Sequence, residues 1–278
     1  MEPIEDVALV ADGPSDAPVI VVAGSLAASP AMWYAQLAAW RSHARVLVYR
    51  YPGHDGRAPE ASVDSIEALA RDLLDRLDRR GVGEFAFCGL SLGGLLGMQL
   101  AATTGRVRRL VVGNSRWYQS DASRAMWDQR IGAVRAGGMK AVVDATLATW
   151  LTEAFQAREP ERADAVRRMF LSTDPGGYVA CATVVRGFDG RGLLDRISCP
   201  VMIVSSDQDR PAPTEHLAEL AAALAAGSRG GSAVETLVIA DCAHLSSVEG
   251  AEAWTRRVGD FLGASKANGR SGEVPRGS

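Results

Sequence analysis

Residues 84–103, Glu-Phe-Ala-Phe-Cys-Gly-Leu-Ser-Leu-Gly-Gly-Leu-Leu-Gly-Met-Gln-Leu-Ala-Ala-Thr, change period in mid-course. A short apolar run at 84–88 suits a strand buried on both faces. The stretch 92–103 is apolar nearly all round, as a buried helix is. Between them stands Gly89-Leu90-Ser91-Leu92-Gly93, a G-x-S-x-G pattern. A strand that turns at once into a helix forces the central residue into a strained backbone, and only small residues can flank it. The pattern therefore predicts that Ser91 stands at the N-terminus of a helix, whose dipole favours developing negative charge.

The same alternation runs through much of the chain. Apolar runs at 19–23, 46–49 and 110–113, and later at 201–205 and 237–240, predict further buried strands. Helical patterns lie between them, at 30–40 behind a Ser29 N-cap and at 64–80 with apolar residues at helical spacing. Repeated β–α–β units predict an α/β fold with a mostly parallel central sheet flanked by helices. Residues 115–195 break the rhythm. They are helix-like throughout, punctuated by Gly137-Gly138 and Asp174-Pro175-Gly176-Gly177. They read as a helical cap inserted before the strand that carries a catalytic acid, so the core domain is expected over 1–114 and 196–263. Only one candidate strand, about 6–10, precedes the run at 19–23, so the first strand of such a fold is expected to be missing or short. Residues 264–278 read as a disordered tail. Its end, Val274-Pro275-Arg276-Gly277-Ser278, resembles a protease-site remnant of recombinant origin.

Composition narrows the function. The formal net charge of −3 points to neither nucleic acid nor an anionic membrane. No apolar stretch is long enough to span a bilayer, and the acidic start, Met-Glu-Pro-Ile-Glu-Asp, lacks the features of a secretory signal. Cys88, Cys181, Cys199 and Cys242 have neither metal-ligand nor redox-motif spacing. The expectation is a cytoplasmic protein, monomer or homodimer, that acts on a small molecule without metal or cofactor.

Serine needs a base. Of the four histidines, His244 follows the last strand and completes the chain order serine, acid, histidine of this fold. His43, His54 and His216 read as structural or surface residues. The acid must lie between Ser91 and His244, at the end of a strand. In Asp207-Gln208-Asp209-Arg210-Pro211-Ala212-Pro213, Asp209 is the choice and Asp207 the alternative. Asn114, at the end of an earlier strand, cannot serve as an anion. The oxyanion hole is assigned to the backbone amides of Leu92, directly after the serine, and Leu26, in Gly24-Ser25-Leu26. Trp33, Trp117, Trp150 and Leu245 are candidate pocket residues.

With these motifs in place, the chain resembles the 3-oxoadipate enol-lactonases of the α/β-hydrolases over about residues 19–262. The resemblance is carried by Gly89-Leu90-Ser91-Leu92-Gly93-Gly94, Arg108-Arg109-Leu110-Val111-Val112-Gly113-Asn114 and Arg135-Ala136-Gly137-Gly138-Met139. Thr173-Asp174-Pro175-Gly176-Gly177-Tyr178, Ala243-His244-Leu245-Ser246-Ser247-Val248-Glu249 and Ser25-Leu26 with Met32-Trp33 extend it. It implies a serine hydrolase that cleaves a small lactone or carboxylic ester, with the triad assigned above. Carbon–carbon bond hydrolysis on the same triad, or a non-catalytic receptor on the same scaffold, remain open. Three positions depart from the pattern: Arg50-Tyr51-Pro52-Gly53-His54-Asp55, Gly24, and Thr149, which stands before Trp150 where an arginine is expected. A pocket without that arginine predicts a preference for neutral or larger substrates, unless Arg116, Arg124 or Arg186 supplies the charge.

Overall fold

The apolar runs pair into one sheet. The computed structural model describes residues 9–60, 64–227 and 233–264. Strand β1 (Leu9–Asp12) is followed by β2 (Val19–Ala23), helix α1 (Tyr34–Trp40), β3 (Arg45–Tyr49), α2 (Ile66–Arg79), β4 (Phe85–Leu90), α3 (Leu92–Thr103) and β5 (Val107–Gly113). Five helices come next: α4 (Asp121–Gly137), α5 (Val143–Trp150), α6 (Glu153–Arg158), α7 (Pro160–Leu171) and α8 (Pro175–Gly187). The chain then returns to β6 (Val201–Ser206), α9 (Thr214–Gly227), β7 (Val234–Ile239), α10 (Ser246–Glu249) and α11 (Ala251–Leu262).

The strand order is β1-β3-β2-β4-β5-β6-β7. Strand β1 runs antiparallel to β3, and every other neighbouring pair is parallel. The central strands β4 and β6 are buried along their whole length, as a sheet covered on both faces requires. The candidate strand at about 6–10 appears as β1 at Leu9–Asp12, and a strand before it would fall in residues 1–8, outside the described part. The tail after Ala264 lies outside it too.

Local chemistry sets the helix ends. Ser65 caps α2 by accepting from Ala68 N–H, Glu67 sits in its first turn, and Arg76 and Arg79 sit in its last. Ile66, Leu69, Ala70, Leu73 and Leu77 form its buried stripe. The pattern expected over 30–40 splits in two: a 3-10 turn, Pro30–Trp33, precedes α1. Helix α4 ends at Gly138, whose φ of 65° a glycine accepts without strain. Asp174 caps α8 by accepting from Gly177 N–H, with Pro175 at the first helical position.

The loops after β2, β3, β4, β5, β6 and β7 all emerge at the carboxyl edge of the sheet, where open α/β sheets place their sites. Helices α4–α8 lie in sequence between β5 and β6. No helix among the described residues is long and apolar enough to cross a membrane.

Candidate active site

Ser91 occupies the sharp turn between β4 and α3 with φ 59° and ψ −116°, a region costly for a residue with a Cβ. Packing enforces it. Ser91 N–H donates to Gly113 O at 2.8 Å. A methyl group on Gly89 would sit 2.1 Å from Gly93 O, and one on Gly93 would sit 2.0 Å from Ala23 O. Both glycines of the motif are thus sterically required, and the serine is held at the first turn of α3.

The loops after β6 and β7 bring Asp209 and His244 together. His244 Nδ1 lies 3.0 Å from each carboxylate oxygen of Asp209. The Asp209 side chain is fully buried, and that of His244 is 5 % exposed. Asp209 Oδ1 also accepts from Ala212 N–H at 3.0 Å, and Oδ2 from the Asn114 amide at 2.8 Å. Asp207 is exposed and takes Asp241 N–H at 3.1 Å and Cys242 N–H at 3.3 Å. It therefore braces the turn before His244 and does not reach the imidazole. Asn114 does what the sequence did not suggest. Its side chain donates to Asp209 and to Ser206 Oγ (2.7 Å) and accepts from Ser246 Oγ (2.5 Å). Its position at the end of β5, beside the strand that carries the acid, was the available signal.

Ser91, His244, Leu26 and Leu92 line one cavity of about 450 Å³. Among the described residues, no hydrogen bond joins Ser91 Oγ to His244; such bonds tighten when a substrate arrives. The amides of Leu26 and Leu92 have no protein acceptor among those residues. Two N–H groups free beside a serine at a helix N-terminus suit a developing oxyanion.

The cavity differs from the sequence expectation in its walls. Trp150 lines it. Trp33, Trp117 and Leu245 do not. Trp33 is 0 % exposed and packs on Trp254, with ring centroids 6.2 Å apart. Trp117 donates its indole N–H to His216 O at 3.0 Å. Leu245 is 0 % exposed. All three serve the core, because burial competes for large apolar side chains more strongly than a pocket does.

The charge expectation also changes. Arg124 pairs with Asp121, and Arg186 forms a two-bond pair with Asp128; neither lines the cavity. Arg116 does line it, as do Arg210 and Arg130, and no aspartate or glutamate does. Arg130, on α4, donates to the hydroxyls of Tyr178 and Thr146. Its guanidinium carbon lies 5.9 Å from the ring centroids of both Trp127 and Tyr178. Burial raises the Tyr178 phenol pKa, against the pull of Arg130, so the phenol stays neutral. Arg130 forms no ion pair among the described residues. Thr149 is in the wall too, its hydroxyl donating to Thr146 O at 2.9 Å. The premise of a wall without a cation does not hold; α4 supplies what Thr149 lacks.

Comparison with known proteins agrees with this geometry. The model of the "Alpha/beta hydrolase family" matches residues 5–257. A 3-oxoadipate enol-lactonase 2 of Acinetobacter baylyi is 27 % identical over 265 residues, covering 91 % of this chain and 92 % of the relative. A 3-oxoadipate enol-lactonase 1 of the same organism is 30 % identical over 202 residues, covering 71 % and 74 %. The crystal structure of the enol-lactonase from Burkholderia xenovorans superposes with a TM-score of 0.84 at 34 % identity, covering 92 % of this chain and 95 % of that one. With a parallel sheet, a strand–serine–helix turn and a family match across nearly its whole length, the chain belongs to the alpha/beta hydrolase family.

Proposed function

We propose that this protein hydrolyses a small lactone or carboxylic ester carrying a free carboxylate, through an acyl-enzyme on Ser91. Ser91 Oγ attacks the carbonyl carbon while His244 Nε2 takes its proton. Asp209 holds Nδ1–H, fixes the tautomer and balances the imidazolium charge. The amides of Leu26 and Leu92 receive the oxyanion. His244 then gives its proton to the leaving oxygen. In a lactone that oxygen stays tethered to the acyl chain. Water, deprotonated by His244, attacks the acyl-enzyme and releases the acid. The observation that carries this reading is the strained Ser91 sharing a cavity with a histidine whose Nδ1 meets both oxygens of a buried aspartate.

The wall supports the carboxylate. Three arginines without a carboxylate among the lining residues leave a positive cavity, and Arg130 is held there by neutral hydroxyls with donors to spare. Relatives named as 3-oxoadipate enol-lactonases support the lactone half of the reading. A hydrogen bond to a charged group contributes roughly 1.5–3 kcal/mol, or about ten- to a hundredfold in specificity.

The test is a matched pair, the p-nitrophenyl half-ester of adipic acid and its methyl diester, compared by kcat/KM. Wild type is expected to favour the acid by tenfold or more. Arg130→Met should remove most of that preference while leaving the neutral ester within about threefold. Ser91→Ala should be inactive on both. A wild-type preference for the diester, or an acid preference that Arg130→Met leaves intact, refutes the carboxylate. Ser91→Ala activity within tenfold of wild type refutes the nucleophile.

A further inference from the structure

Residues 25–28 form a tight turn in which Ala28 N–H donates to Ser25 O at 3.0 Å. Of its two central residues only Ala27 has positive φ, at 63°. That is the type II pattern, whose third position favours glycine because a Cβ is strained there. A trans peptide sets its C=O and N–H antiparallel. With Ser25 O turned toward Ala28, the Leu26 N–H faces the opposite side, and Leu26 is part of the cavity wall.

The central peptide, Leu26 C=O with Ala27 N–H, would relieve the strain by turning over. His54 opposes this. Its Nε2 accepts from Ala27 N–H at 3.0 Å, and its Nδ1 meets Pro52 O at 2.9 Å. The pair of contacts requires the tautomer with a proton on Nδ1 and a lone pair on Nε2. His54 is 0 % exposed, and burial pushes its pKa down to about 4, so the ring is neutral at neutral pH. Tyr51, from the same loop, packs edge-on at 5.5 Å and donates to Gly24 O at 3.0 Å. The whole loop after β3 thus grips the loop after β2.

We propose that His54 is a positioning residue for the oxyanion hole: by holding Ala27 N–H it locks the strained 25–28 turn, and that turn keeps the Ser25–Leu26 peptide in the orientation that aims the Leu26 amide at the substrate carbonyl. This rests on the hydrolase reading of Ser91. The experiment measures kcat, KM and melting temperature for wild type, H54L, H54Q, the double variant H54L/A27G, and S91A on p-nitrophenyl acetate. Leucine cannot accept the Ala27 N–H, glutamine can, and glycine at 27 adopts positive φ without strain. H54L is expected to lose at least tenfold in kcat with KM within about threefold. H54Q and the added A27G should each recover most of that loss, which a merely structural role would not allow. If H54L does not fold, H54N, too short to reach Ala27, replaces it under the same criteria. A kcat within threefold of wild type, or a loss that neither H54Q nor A27G recovers, overturns the proposal. If S91A matches wild type, the hydrolase reading fails instead; if S91A is inactive while H54L keeps its kcat, only the role of His54 fails.

Discussion

Asp209 carries three donors on two oxygens: His244 Nδ1, Ala212 N–H and the Asn114 amide. A carboxylate can satisfy all three; an amide cannot, because its NH₂ would face one of them. Asp209→Asn is therefore expected to favour the wrong imidazole tautomer and to lower kcat by several orders of magnitude. Asp207→Asn keeps an acceptor for the turn at 241–242 and should cost less than about tenfold. Steady-state hydrolysis of one chromogenic ester by both variants decides it. The reverse ranking would move the acid to Asp207, and two small effects would leave neither in the role. Asn114 explains why an uncharged residue stands at the end of β5: its amide bridges the strand that carries the acid and, through Ser246, the segment after His244.

At the scale of elements, the helices inserted between β5 and β6 are fastened to the segment around His244 at two places. Trp150 O, at the end of α5, accepts Leu245 N–H at 2.9 Å. The Glu249 carboxylate takes Thr152 N–H and Oγ1, each at 2.8 Å, and Ala243 N–H at 2.5 Å. On the other side Asp174 N–H, at the start of α8, donates to Gly53 O at 2.8 Å, next to His54. The sequence made the sheet legible, together with the candidate set Ser91, Asp209 and His244 that the fold brings to one end of it, because buried runs, glycines and a turn-bound serine are local signals. The helix over 92–103 came out residue for residue. The pocket wall was not legible. Which face of α4 looks inward depends on how it packs on α8, so Arg130, in the cavity wall, could not be told by spacing from Arg124, which pairs with Asp121 outside it. Trp33 and Trp117 misled for the converse reason, since a tryptophan's size suits a core as well as a pocket. His54 read as structural; its contact with Ala27 spans 27 residues and leaves no periodic trace.

For the molecule as a whole, the buried histidines set an acid limit. Burial lowers the pKa of both His54 and His216 to about 4. Arg57 pushes His54 further down while Pro52 O and Asp174 pull it up; Arg116 lowers His216 and Glu219 raises it. In the unfolded chain both take up a proton near pH 6.5. The folded pKa is below the unfolded one, so their contribution is full above about 6.5 and is lost as pH falls toward 4. For the fully buried His54 the loss is on the order of 3 kcal/mol. The melting temperature is expected to fall steadily over that window, and His54→Gln should flatten the fall. A melting temperature level from pH 7 to pH 4 would contradict this.

The central claim, that Ser91 alone among the serines is an activated nucleophile, meets its most direct test in covalent labelling. Wild type, Ser91→Ala and His244→Ala are treated with an alkyl fluorophosphonate at neutral pH, and the adduct is mapped by peptide mass spectrometry. One adduct per chain is expected, on the peptide carrying Ser91, absent from Ser91→Ala and strongly slowed in His244→Ala. No adduct on wild type, an adduct on another residue, or equal labelling without His244 would contradict it.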